Sequence, residues 1–153
     1  MSRTEPTPAV PAPPAPLIDT DSAGFWEATR EGRVALCRCS DCGVWLARPL
    51  ERCNRCGGPT SFTDVTGSGT IYSFIVVRHG SVPAFASLLP YVLALVEFDE
   101  GPRLPGILLD EQGPGVAVGQ RVRAELTQFT GAVERAVTYR RVNDGEQPSV
   151  PDA

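Results

Sequence analysis

Cys39-Ser-Asp-Cys42-Gly43 and Cys53-Asn-Arg-Cys56-Gly57 are two Cys-x-x-Cys knuckles with ten residues between them. Each knuckle turns two thiolates toward one point, and the pair supplies four soft ligands, the closed tetrahedral set that suits Zn²⁺. Gly43 follows the first knuckle and Gly57-Gly58 the second. Tight turns there bring backbone N–H groups near sulfur and demand φ values that glycine tolerates. The stretch therefore reads as a rubredoxin-like zinc ribbon with Cys39, Cys42, Cys53 and Cys56 as metal ligands, although the same donors would serve an Fe–S or rubredoxin-type iron site. Four thiolates leave no position for water, so the metal is expected to stabilise the fold and not to catalyse. Cys37, at the end of Val34-Ala35-Leu36, breaks the x-x spacing and is expected to stay unligated, packing as a small hydrophobe beside the site.

Around the knuckles the charge changes sign. From Arg30 to Cys56 there are six arginines against three acids, Glu31, Asp41 and Glu51. The whole chain carries a net charge of −4 with a pI near 5.0, and all fourteen of its basic residues are arginine. That balance argues against a polyanion as main partner, because Lys/Arg neutralisation of phosphates dominates nucleic-acid affinity. A locally basic module on an acidic chain suits a small anionic ligand better than a duplex; solvated arginines around a metal site would give the same pattern.

Toward the N-terminus, residues 1–18 form a Pro/Ala-rich leader that can build neither helix nor core, and it is expected to be disordered or polyproline-like, ordering only on a partner. Residues 19–32 hold a short helix, Ser22 to Glu31, with N-cap candidates before it and Gly32 after it. Such a helix is marginal alone, so Phe25 and Trp26 must bury against the ribbon or against another subunit. Within the ribbon, residues 33–62, the expected hairpin joins Val34–Leu36 to Val44–Ala47.

From 63 to 143 the texture is that of strands, and from 144 to 153 that of a frayed polar tail. Residues 69–77 and 91–99 are apolar on both alternations, as in strands that curl around a barrel. Gly67 and Gly69 suggest a bulge or a close backbone approach. A third strand, 104–109, contains Pro105-Gly106 and should lie at an edge or bulge. Residues 121–127 alternate cleanly with Val122, Ala124 and Leu126 inward, and 135–142 is the fifth strand. Five strands with glycine-marked bends and no crossover helix fit a small closed barrel. The count suggests an OB-fold; an SH3-like barrel or an open sandwich would satisfy the same pattern. The fold class is thus mainly β: a helix, a ribbon, then the barrel.

The ordered set Phe25-Trp26-Glu27, the two knuckles, Gly67-Ser-Gly69-Thr-Ile-Tyr-Ser-Phe74, Pro90-Tyr-Val-Leu-Ala-Leu-Val-Glu-Phe-Asp-Glu-Gly-Pro102 and Val118-Gly119-Gln-Arg-Val122 resembles the zinc-ribbon/OB-fold acyl-CoA-associated proteins catalogued as domain of unknown function 35. The resemblance implies a five-stranded OB-fold and the role of accessory subunit or fused domain to a thiolase-like enzyme, be it an acyltransferase, a thiolase or a lipid-transfer-type aldolase. There such proteins help bind coenzyme A or shape the partner's active site. On that reading Arg48, Arg52 and Arg55 are candidates to meet the phosphates of a coenzyme A thioester. The helix aromatics Phe25 and Trp26 and the apolar side chains of the long loop 81–90, Val82, Phe85, Leu88 and Leu89, are candidates to dock the partner in a hetero-oligomer.

The residues themselves argue against independent catalysis. A catalytic constellation needs a nucleophile with a base, or paired carboxylates, and the sole histidine, His79, sits in an Arg-His-Gly turn. Asp99-Glu100 and Asp110-Glu111 are acidic pairs that turn chemistry explains. A nucleic-acid-binding ribbon/OB module is the alternative from another class, but it would need a basic groove interleaved with exposed aromatics; here Glu97, Asp99 and Glu125 are mixed among them. No apolar run approaches the ~18 residues of a membrane span and no secretory core is evident. With thiols available to metal, a cytoplasmic protein is expected.

Overall fold

In the computed structural model, which describes residues 11–109 and 111–142, the first element is helix α1, Ala23–Arg30. The chain enters it through a reciprocal turn in which the Ser22 N–H and hydroxyl both donate to Asp19 Oδ1, at 2.8 and 2.6 Å. It leaves through Gly32 at φ +86°, with the Arg33 N–H reaching back to Ala28 O at 2.8 Å. That is a Schellman ending, and it needs the left-handed conformation that glycine adopts without penalty. Ala28 and Thr29 are buried.

Two strands follow: β1, Ala35–Cys39, and β2, Thr60–Asp64, paired antiparallel from Ala35 opposite Asp64 to Cys39 opposite Thr60. This corrects the expected hairpin. Val44–Ala47 is not its second strand; the segment touches β1 at one isolated bridge, Arg38 with Trp45, and with two bonds, Cys39 N–H to Val44 O and Leu46 N–H to Cys37 O. The strand after the second knuckle pairs with the strand before the first, so both knuckles hang from one ladder.

The barrel comprises β3 (Ser68–Val77), β4 (Tyr91–Phe98), β5 (Arg103–Leu108), β6 (Arg121–Thr127) and β7 (Ala136–Arg141), closed in the order β3-β4-β5-β7-β6. This is the five-stranded OB-fold. Every pairing is antiparallel except β5 with β7, which is parallel and limited to Ile107–Thr138 and Leu108–Tyr139. Pro105 is tolerated because the partnerless edge of β5 runs past it before β7 joins. β4 alternates strictly, Val92, Ala94, Val96 and Phe98 pointing into the core. Tyr72 is the irregular residue of β3, where the register with β4 shifts. Gly69 is a close approach: a Cβ there would lie 2.5 Å from Glu97 O.

Core and ribbon are continuous. Leu36 of β1 belongs to the barrel's buried cluster with Ile71, Phe98 and Tyr139, and Val34, Trp45 and Val65 pack against it. On the opposite face of β1, Cys37 and Cys39 join Leu46 and Cys53 in a second cluster. The long connection between β3 and β4 carries a 3₁₀ helix, Pro83–Leu88, with no fully buried residue. Residues 11–16 of the leader, expected to order on a partner, lie against this chain's own barrel, whereas residues 1–10 and the tail 144–153 lie outside the described residues. Among the described residues no helix is long and apolar enough to cross a membrane.

Candidate functional site

The two knuckles are near copies. In the first, the Gly43 N–H donates to Cys39 O at 3.1 Å; in the second, the Gly57 N–H donates to Cys53 O at 2.8 Å. The glycines sit at φ +71° and +75°. Backbone N–H groups point at the sulfurs: Cys42 to Cys39 Sγ at 3.5 Å, Arg55 to Cys53 Sγ at 3.4 Å and Gly58 to Cys56 Sγ at 3.4 Å. These donors favour thiolate over thiol.

The four sulfurs converge. Cys39 and Cys56 Sγ are 3.5 Å apart, Cys42 and Cys53 Sγ 3.7 Å, and no pair exceeds 4.8 Å. Four sulfurs at ~2.3 Å from one tetrahedral metal would be separated by about 3.8 Å, so the set is compact enough to hold one metal ion. The Cys42 N–H is the main influence drawing Cys39 down to about 6. The Gly58 N–H acts in the same direction on Cys56, but the neighbouring sulfurs of Cys39 and Cys42 outweigh it and push Cys56 up to about 12. Crowded sulfurs resist ionising together, and a cation is the usual remedy. Cys37 lies outside the set: its buried thiol faces Leu50 O at 3.8 Å.

Arg48, Arg52 and Arg55 are all exposed on the ribbon, and among the described residues none of them forms an ion pair. Most other arginines are engaged: Arg30 with Glu134, Arg33 with Glu31 and Asp64, Arg121 with Asp99, Arg103 with Glu97. The Arg103 guanidinium also covers the exposed Tyr72 ring at 3.5 Å. Arg38 stacks on Trp45 at 5.1 Å.

Of the six candidate docking residues, three come together. Phe25, Trp26 and Phe85 line one apolar groove of about 390 Å³ beside β5 and β7, together with Phe129 and the leader prolines Pro13, Pro14 and Pro16. Phe25 meets Trp26 edge to face at 5.0 Å, and Phe85 meets Phe129 likewise at 5.7 Å. Val82, Leu88 and Leu89 are half-buried in the same connection without lining this groove. Phe129, in the connection between β6 and β7, was not anticipated; a lone aromatic between two turn-forming stretches offers no periodic signal.

No nucleophile–base pair emerges among the described residues. His79 is exposed in its turn. Asp99 is committed to Arg121, which holds its carboxyl below the usual range, and Glu100 accepts the Thr66 N–H at 2.7 Å. Asp110 lies outside the described residues.

A family profile described as the ChsH2 C-terminal OB-fold domain matches residues 62–127. The chain is 36% identical over 110 residues to a probable enoyl-CoA hydratase alpha subunit of Thermomonospora curvata, covering 71% of this chain and 34% of that protein. It is 34% identical over 89 residues to a DUF35 domain-containing scaffold protein of Methanocaldococcus jannaschii, covering 57% and 62% respectively. It thus spans about a third of the hydratase subunit and somewhat under two thirds of the scaffold protein. Among solved structures, a chain of the Ltp2-ChsH2(DUF35) aldolase superposes with a TM-score of 0.75 at 31% identity, covering 82% of this chain and 98% of that one.

Proposed function

This chain belongs to the DUF35 family of OB-fold proteins, and from that membership we propose that it is a non-catalytic accessory subunit of an acyl-CoA-using enzyme. It binds a thiolase-like partner, an acyltransferase, thiolase or lipid-transfer-type aldolase, and helps form that partner's CoA-thioester site. The observation carrying this reading is the likeness to the aldolase chain, 98% of which this chain covers at 31% identity. The aromatic groove agrees with it, since anchors of this kind dominate protein interfaces.

The metal is Zn²⁺, held by Cys39, Cys42, Cys53 and Cys56. When bound, it ties the two knuckles into one rigid element and supplies no open coordination position for chemistry. Arg48, Arg52 and Arg55 are the side chains assigned to the coenzyme A phosphates, for which a guanidinium is suited; their exposure on the ribbon supports this. Free thiols at a metal site suit the reducing cytoplasm.

Co-expression with a candidate thiolase-like acyl-CoA enzyme, followed by size-exclusion chromatography and activity assay, tests the assignment. A shared peak with raised partner activity is expected, along with no acyl-CoA turnover by the isolated chain. Phe25→Ala or Trp26→Ala should weaken the complex by roughly 1–3 kcal/mol. Two separate peaks with unchanged partner activity would remove the support for this reading.

A further inference from the structure

Residues 11–16 read Pro-Ala-Pro-Pro-Ala-Pro. Proline fixes its own φ and drives the residue before it into the extended or polyproline II region, and every one of these six positions is either a proline or directly precedes one. The segment is held near a polyproline II helix before it touches anything. That helix repeats every three residues, so Pro13 and Pro16 share one edge.

The burial follows this period. Pro13 and Pro16 are half-buried, while Pro11, Ala12, Pro14, Ala15 and Leu17 are exposed. Pro13 and Pro16, with the more exposed Pro14 between them, line the groove with Phe25, Trp26, Phe85 and Phe129. An aromatic-lined groove meeting prolines spaced three apart is a general means by which polyproline II ligands are recognised. The strap also passes close to Gly131, where a Cβ would lie 2.9 Å from Ala12 Cβ. Residues 11–18 carry no charge, and the acid lining the groove, Glu134, is already paired with Arg30. Recognition is therefore by shape and apolar contact, with little ordering entropy to lose because the ligand is stiff.

We propose that this groove is a polyproline II recognition site, occupied in cis by the chain's own Pro13-Pro14-Ala15-Pro16 segment. The inference deepens the accessory-subunit reading and rests on it only in its consequence: the strap forms one wall of the groove that Phe25, Trp26 and Phe85 line, so docking through those side chains must displace it.

Fluorescence anisotropy with a fluorescein-labelled peptide of residues 9–18 tests the site on the full chain alone. A tethered segment competes at a millimolar effective concentration, so the wild-type chain should bind the peptide at least tenfold more weakly than the Pro13→Gly/Pro16→Gly double variant. Ala15→Gly, an equal loosening on the outward edge, should behave as wild type to within about threefold. Adding either Phe85→Ala or Phe129→Ala to the double variant should abolish binding, and two aromatic variants guard against one that fails to fold. The proposal is overturned if the peptide binds neither chain, binds both equally, is released as readily by Ala15→Gly as by the double variant, or still binds when the aromatics are gone. No partner enzyme enters this assay, so its failure leaves the accessory-subunit reading intact, and separate chromatographic peaks would leave the strap intact.

Discussion

Tyr139 is the largest side chain with no exposed surface, and its hydroxyl donates to Leu104 O at 2.9 Å across the barrel. Its ring stands 6.2 Å from Phe98, and Gly106 leaves the room it needs: a Cβ there would come within 2.7 Å of Tyr139 Cε2. Burial raises its phenol well above the ordinary value, because the phenolate would have to exist without water. The direction of the linkage follows. Above about pH 10 the unfolded chain loses this proton while the folded chain keeps it. Stability is therefore full below that pH and declines as pH rises beyond it. Tyr139→Phe removes the hydrogen bond, which should cost about 1 kcal/mol at neutral pH, and also removes this alkaline decline. Urea denaturation between pH 7 and 11 should show the two proteins' stabilities converging above pH 10; a constant gap across that range would contradict the assignment.

At the scale of elements, α1 meets the ribbon through a glycine. A Cβ at Gly24 would fall 2.2 Å from Phe62 Cδ2, and Phe62 of β2 in turn packs on the ribbon's cysteine cluster. Helix propensity alone would favour Gly24→Ala by about 1 kcal/mol. The contact reverses the sign: the Phe62 ring must move out of a packed position, so the variant should lose roughly 1–3 kcal/mol, the usual cost of overpacking. Thermal unfolding decides between the two, and a raised midpoint would refute the packing argument. The same element shows what the sequence could tell and what it could not. The knuckles, α1 and the barrel strands were legible because each is set by local chemistry: ligand spacing, a glycine stop, a two-residue alternation. β2 was missed although Thr60-Ser-Phe-Thr-Asp alternates and lies between Pro59 and Gly67. The apolar run Val44–Ala47 was nearer to β1, but the shared metal geometry of two knuckles requires the flanking ladder to span both. The convergence of Phe25, Phe85 and Phe129 depends on three segments meeting across the barrel, which no local pattern encodes.

For the whole molecule, the shared core means that ribbon and barrel do not respond separately to loss of metal. A structural zinc contributes folding free energy on the order of 10 kcal/mol in small modules, and without it the knuckles have only a small cluster of their own. Chelation should strip hydrogen-exchange protection from β1 and β2, preserve it in β4, and still lower the barrel's melting midpoint, because Leu36, Trp45 and Val65 then leave the barrel's end uncovered. Cys53→Ser should reproduce this and Cys37→Ser should not, with metal content by mass spectrometry following the same division. An unchanged midpoint after chelation, or a Cys37→Ser protein without metal, would be incompatible with this arrangement.

The strand order of the barrel has a consequence in time. β7, the last strand among the described residues, is inserted between β5 and β6 and supplies the parallel contact that closes the cylinder. A ribosome can release β3, β4 and β5 as a meander, and β6 can then find β3. Until Arg141 emerges, however, β5 and β6 each show the solvent an unpaired backbone edge, the kind of surface on which nascent chains adhere to one another. Closure thus waits for β7, and the interval before β7 is available is when the barrel's open edges are most exposed to such adhesion.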